Sequence, residues 1–212
     1  MGAFTYWPEA ITQPRLLVTE GPDAYWFCVW AAKAYGLAGV QVISFGGTAE
    51  LRHKLELLQL ITGYAQVESL AVIRDAESDP HAAFQSVCSA LEKAGLAVPK
   101  AAFQLEPGRP SIAVFLFPGP KGEGIAAAPG ALEDLCLASV DNEPVFRCIE
   151  SFINCARQAG CTVKRWHKAR LHAYLAANDE FVGMKIGEAA KATAWDWQHP
   201  VLKPFEELLR AL

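Results

Sequence analysis

A mainly parallel α/β sheet of about four strands, flanked by helices and followed by a helical extension, is the fold class this 212-residue sequence predicts. Three observations predict it. Short apolar runs alternate with helical stretches through the first half, at a spacing that fits right-handed crossovers. The runs are continuous, without polar alternation, as expected of strands covered by helices on both faces. From about Leu132 onward the pattern is helical. The expected division is an α/β core over 1–120 and a helical extension over 121–212, packed on that core. The glycine- and alanine-rich segment KGEGIAAAPG (121–130) reads as the flexible joint between them.

Residues 16–19 form the first apolar run, and Gly21, Pro22 and Asp23 open the helix AYWFCVWAAKAYG. Gly36 suits its C-terminal cap, since glycine tolerates the left-handed conformation there. Asp23, in the first turn, complements the helix dipole. The second strand, 40–45, ends on Gly46 and Gly47, and Thr48 is placed to cap a helix with Leu51, Leu55 and Leu58 on one face. The third strand spans 69–74. Asp79 followed by Pro80 reads as an N-cap with proline at the first helical position. That helix carries Phe84, Val87, Cys88 and Leu91 on one face and stops at Gly95. Residues 111–117 make the fourth strand, broken by Pro118, Gly119 and Pro120. Four helical stretches follow: LEDLCLASV, PVFRCIESFINCARQAG, KARLHAYLAAN and PVLKPFEELLRAL.

Composition bounds the function. With 52% hydrophobic and 20% charged residues the chain is globular. No apolar run reaches the roughly 20 residues that cross a bilayer. The start, MGAFTYWPEA, lacks a basic stretch before an apolar core, so no secretory leader and a cytoplasmic location are expected. The six cysteines never form a CxxC pair and read as reduced and structural, most of them inside apolar helical patterns. A net charge of −4 argues against a strong independent grip on nucleic acid, which rests on phosphate neutralisation.

In open α/β sheets, ligands bind beyond the carboxyl ends of the strands. Those ends carry Glu20, the Gly46 and Gly47 pair, Asp75 with Glu77, and Pro118 with Gly119. An extended backbone points Asp75 and Glu77 to one side. Taken alone, these two acids suit a solvated turn as well as a metal site. Their coincidence with Glu20, each after a buried strand, favours a shared hard cation, Mg²⁺ or Mn²⁺. Glu20 either joins that shell or serves as a general acid or base. Glu133 and Asp134 add charge if LEDLCL folds back over the strand ends; equally, they are ordinary acids at a helix start. Lys164, Arg165, Lys168 and Arg170, in the run KRWHKAR, are the candidate phosphate-binding residues, with a solvated helix face as the plain alternative. Trp195, Trp197 and His199 read as a packing motif.

At these residues the chain resembles the Toprim family of topoisomerases, bacterial primases and nucleases of the overcoming-lysogenisation-defect type. That family places a glutamate after the first strand and an Asp-x-Asp after the third. Here LLVTEG supplies Glu20 and IRDAE supplies Asp75 and Glu77, with glutamate as the second acid. The resemblance covers roughly residues 15–117. It is nearest to stand-alone Toprim-related proteins, through EGPD (20–23), ISFGG (43–47), LEDLCL (132–137) and the late W-x-W-x-H-P (195–200). In related nucleases a further acid follows the first glutamate at i+4, where this chain has Ala24. A late lysine contributes to cleavage in them, and Lys168 is the similar position.

The resemblance implies a Mg²⁺-dependent phosphodiester-cleaving protein acting on nucleic acid, with Asp75 and Glu77 on the metal and Glu20 assisting. Topoisomerase and primase activities are not expected: no second domain offers a strand-passing tyrosine, and no zinc-binding cysteine set is present. The alternative is a Toprim-like regulatory subunit of a larger complex. No P-loop is found, so an NTPase or other protein partner would supply energy. A phospho-acceptor receiver, with Asp75 accepting phosphate beside Lys121, fits less well, because Glu20 replaces the usual acidic pair.

Overall fold

A computed structural model of the chain describes residues 6–122, 126–140 and 143–212. Strand β1 (Arg15–Glu20) feeds α1 (Gly21–Ala34), and β2 (Val40–Gly46) leads to α2 (Leu51–Leu58). Then come β3 (Ser69–Asp75), α3 (Pro80–Lys93), a two-residue β4 (Leu105–Glu106) and β5 (Ser111–Phe117). The second half is helical: α4 (Leu132–Ala138), α5 (Glu143–Gln158), α6 (Trp166–Ala176), α7 (Ile186–Lys191) and α8 (Lys203–Ala211). Among the described residues no helix is long and apolar enough to cross a membrane.

The sheet has five strands in the order β2-β1-β3-β5-β4. The first four are parallel and β4 is antiparallel to β5. The expected four parallel strands are present, and β4 is an addition. Two residues, Leu105 and Glu106, carry no periodic signal, so nothing in the sequence marks them. Right-handed crossovers running in opposite directions along a sheet cover opposite faces. The chain obeys this: α1, between β1 and β2, lies on one face with Leu17, Ile73 and Phe115, while α2 and α3 lie on the other with Val18, Val72 and Val114. Side-chain alternation along each strand thus feeds two cores. The α1 face also buries residues of α4, α6, α7 and α8, with Phe27, Phe115, Phe117 and Phe205 meeting edge to face.

Helix ends follow their residues. Gly36 (φ +64°) closes α1 with Leu37 N donating to Ala32 O at 2.9 Å and Gly36 N to Lys33 O at 3.1 Å. Gly95 ends α3 in the same way. Asp79 caps α3, its Oδ1 accepting from Ala82 N at 2.9 Å. Thr48 is not the cap of α2. The chain leaves β2 through a 3₁₀ turn, Thr48–Glu50, whose cap position is Gly47, and α2 starts only at Leu51.

Of the 121–130 segment expected as a joint, residues 123–125 lie outside the described residues. Its flanks are tied down, Lys121 N donating to Ala126 O and Ala128 N to Gly119 O. Trp195 is buried and Trp197 packs on Phe27 and Tyr35, while His199 Nδ1 accepts from Val201 N at 3.2 Å. All six cysteines are free. Cys28 and Cys136 are buried, but Cys148, Cys155 and Cys161 are exposed. The expected place inside apolar helical faces thus holds for Cys28 and Cys136, whereas α5 turns Cys148 and Cys155 to solvent and Cys161 follows its end.

Candidate functional site

The strand order fixes where a site belongs. From β1 the chain crosses outward to β2, and from β3 it crosses the other way to β5, so β1 and β3 flank the topological switch point. Glu20 ends β1 and Asp75 ends β3. The two acids therefore end adjacent strands at the crevice, near enough for the Glu20 charge to act on Asp75.

Glu20 sits where the β1–β2 register slips, between Thr19 and Glu20, and it also occupies the N-cap position of α1. Its side chain makes no cap. Oε2 is buried without a hydrogen bond and lies 3.6 Å from Arg74 Nε. Burial raises the Glu20 carboxyl above its usual range; Arg74 pulls it down, Glu77 pushes it up, and the Asp75 main chain pulls it down. Arg74 is itself buried, and its Nε also donates to Asp75 O at 3.3 Å. The sequence reading missed Arg74. Its signal was a cation closing an otherwise apolar strand, which is costly unless an acid faces it.

Asp75 turns to the α1 face, where its Oδ1 accepts from Leu132 N at 2.9 Å in the first turn of α4. Its carboxyl is pushed up to about 7, mainly by burial and then by Glu133, with Glu20 and Glu77 adding and the Leu132 bond opposing. Glu77 is not on an extended continuation of β3. It has φ +56° and is held by paired bonds with Gly130, N to O at 2.8 Å in each direction. A non-glycine residue there is strained by about 1–2 kcal/mol. Glu77 is exposed, yet its charge reaches both Glu20 and Asp75.

Helix α4 does fold over the strand ends. Glu133 is only 3% exposed and meets Lys168 Nζ at 2.6 Å. Lys168 also lies 3.6 Å from Asp23, so Asp23 does more than complement a dipole. Burial alone would lower the Lys168 amine; its hydrogen bond to Glu133 and the charges of Glu133, Asp23 and Asp75 outweigh that and raise it. Asp134 faces elsewhere. Its Oδ2 accepts from Ala131 N at 2.8 Å and lies 2.6 Å from His167 Nδ1. This His167–Asp134 pair also escaped the sequence reading, because nothing local announces a contact between α4 and α6.

The basic run divides. Lys168 is held by acids, and Arg170 is turned to Glu150 at 2.6 Å with its guanidinium over the Trp166 ring at 5.3 Å. Lys164 and Arg165 are exposed. Arg165 lines a cleft of about 340 Å³ with Glu133, Lys168, His172 and Lys185.

A hard cation can be tested against this donor set. The oxygens of Glu20, Asp75, Glu77 and Glu133 suit Mg²⁺ in kind. Glu20 Oε2 is an orphaned buried oxygen, and like charges crowd Asp75. In the arrangement as it stands, no three His, Cys, Asp or Glu side chains among the described residues are set to hold an ion. Lys168 lies where it neutralises Glu133. The oxygens suit such an ion in kind, and Glu20, Asp75 and Glu77 would be the residues to hold it, but as they stand they do not form a ligand set.

Residues 14–212 match the model of one family, described as a protein of unknown function (DUF3226). No curated protein and no solved structure matches the chain.

Proposed function

The chain belongs to the DUF3226 family, and we propose that it is a Toprim-type protein that cleaves phosphodiesters with Mg²⁺ or Mn²⁺. One observation carries this reading: Glu20 and Asp75 end the two strands that flank the switch point, and the Asp75 carboxyl is raised to about 7, first by burial and then by Glu133, Glu20 and Glu77. Acids gathered there cost stability unless a cation meets them. A bound divalent ion would supply charge for the phosphate and a water acidic enough to attack it. The chain's residues do the rest. Asp75 and Glu77 would orient the ion, and Glu20, its carboxyl raised by burial, is the candidate to take up and release a proton. Lys168, anchored on Glu133, holds positive charge at the same rim. The test is cleavage of single- and double-stranded DNA and RNA with Mg²⁺ or Mn²⁺. Activity should fall at least a hundredfold in Asp75→Ala/Glu77→Ala, and unchanged activity rejects the mechanism.

A second reading, a Toprim-like regulatory subunit without catalysis, is favoured by Ala24. That position is buried in the α1-face core and carries no acid. Calorimetry decides between the two readings. A chain that binds neither Mg²⁺ nor Mn²⁺ is the regulatory module, acting with an NTPase or other protein partner.

A further inference from the structure

Resting on the phosphodiester reading above, we infer the substrate class: a single-stranded polynucleotide, laid along a track from the carboxylate cluster across the α1/α7 face to Trp30. Two clefts make the track. The nearer, about 340 Å³, includes Glu133 and Lys168 of the cluster together with Arg165 and His172. The farther, about 460 Å³, is lined by Trp26, Trp30, Glu188 and Lys191. Pro22, Asp23 and Lys185 line both, so one wall runs from the acids to the tryptophans.

The charges along this wall are arranged for phosphate. Every acid on it is already engaged: Asp23 and Glu133 by Lys168, and Glu188 by the main-chain N–H of Lys185 at 2.8 Å. Arg165, Lys185 and Lys191 are exposed, and none has a carboxylate partner among the described residues. Spaced cations beside flat aromatic faces are what a polynucleotide strand requires, phosphates on the lysines and a base on the ring. Trp30 stands one helical turn beyond Trp26, whose own ring packs against Tyr6 and Tyr25, so Trp30 is the ring offered to a base. Lys33 and Lys191 stand over the Trp30 ring, 4.8 Å and 5.9 Å from its centroid, so a base stacking there displaces a lysine, which is then beside the strand's phosphate. Gly187 makes the wall possible: a Cβ there would come within 2.3 Å of Trp26 Cβ, so only glycine lets α7 approach and bring Lys185 and Lys191 beside the rings. A duplex buries its base faces in its own stack, so the platform selects unpaired strands.

The test is fluorescence anisotropy with the full chain and a labelled 20-nucleotide strand as DNA, as RNA and as blunt DNA duplex, in low salt with and without Mg²⁺. A single strand of either sugar should bind at least tenfold tighter than duplex. Trp30→Ala should weaken it about tenfold, and Lys185→Gln/Lys191→Gln about as much with a shallower salt dependence. The two lysines are exposed, so that variant keeps the fold if Trp30→Ala does not. Equal or tighter duplex binding, no strand binding, or an unchanged affinity in the lysine variant overturns the track. Strand selectivity that persists while Mg²⁺ binding and cleavage are absent overturns the phosphodiester reading and leaves the track standing. Mg²⁺-dependent cleavage without strand selectivity does the reverse.

Discussion

Asp75 links the chemistry of single residues to stability. Its carboxyl titrates near 7 in the folded chain against 3.8 in the unfolded one. Between those values the folded state holds a proton that the unfolded state has lost. The contribution of this group is therefore fully present below about pH 4 and is lost as pH rises through 7. Asp75→Asn keeps an oxygen for Leu132 N and removes the charge, so it should stabilise the protein by about 2 kcal/mol at pH 8 and by almost nothing at pH 4. Urea melts at the two pH values check this, and an equal effect at both would refute the charge argument. Lys168 should behave in the opposite sense. Lys168→Met strands the buried Glu133 and should cost about 1–3 kcal/mol, discounted for the half-exposed lysine. Adding Glu133→Gln should recover most of that loss, which a double-mutant cycle measures. Glu20, Asp75 and Glu77 were legible because each follows a buried apolar run. Arg74 opposite Glu20 and His167 on Asp134 were not, since pairing across the fold leaves no local pattern. The left-handed backbone of Glu77 was equally hidden, because no glycine marks it.

At the scale of elements, the four parallel strands and the helices between them were readable from continuous apolar runs and 3.6-residue faces. Glycine at the ends of α1 and α3 and Asp79 before Pro80 gave the boundaries through their own conformational chemistry. What failed was short or backbone-driven: β4 has two residues, and the turn at Thr48 is set by how the chain leaves β2. The contact between α1 and α7 was invisible for another reason. Gly187 looks like a weak point inside a helix, yet its missing Cβ is what lets Trp26 lie against it. Gly187→Ala should therefore destabilise the protein by about 1–3 kcal/mol, although alanine is the better helix former. Thermal melts of this variant check the prediction. A neutral or stabilising result would mean that helix propensity, and not the interhelical contact, governs the position.

For the whole molecule, the order β2-β1-β3-β5-β4 decides what the acids do together. Strand runs alone do not reveal which strands are neighbours; pairing β1 with β3 brings the strand ends that carry Glu20 and Asp75 to the switch point, with Arg74 facing Glu20. The helical second half then closes one side of it, α4 placing Leu132 N on Asp75 and α6 placing Lys168 on Glu133. A cluster so built is destabilised by its own charge and stabilised by any cation that the folded state alone assembles. Such linkage gives about 2.7 kcal/mol at a hundred times the dissociation constant. For a chain of this length, that corresponds to a Tm rise of about 5–10 °C. The rise should be largest near pH 8, where Asp75 is ionised, and should shrink by pH 5.5, where a proton competes for the same carboxylate. Asp75→Asn should lose most of it at both pH values. Thermal melts with Mg²⁺ and Mn²⁺, each against an equal ionic strength of Na⁺, separate site binding from screening. A shift reproduced by Na⁺, or kept in full by Asp75→Asn, would place the ion elsewhere and remove the catalytic reading of the crevice.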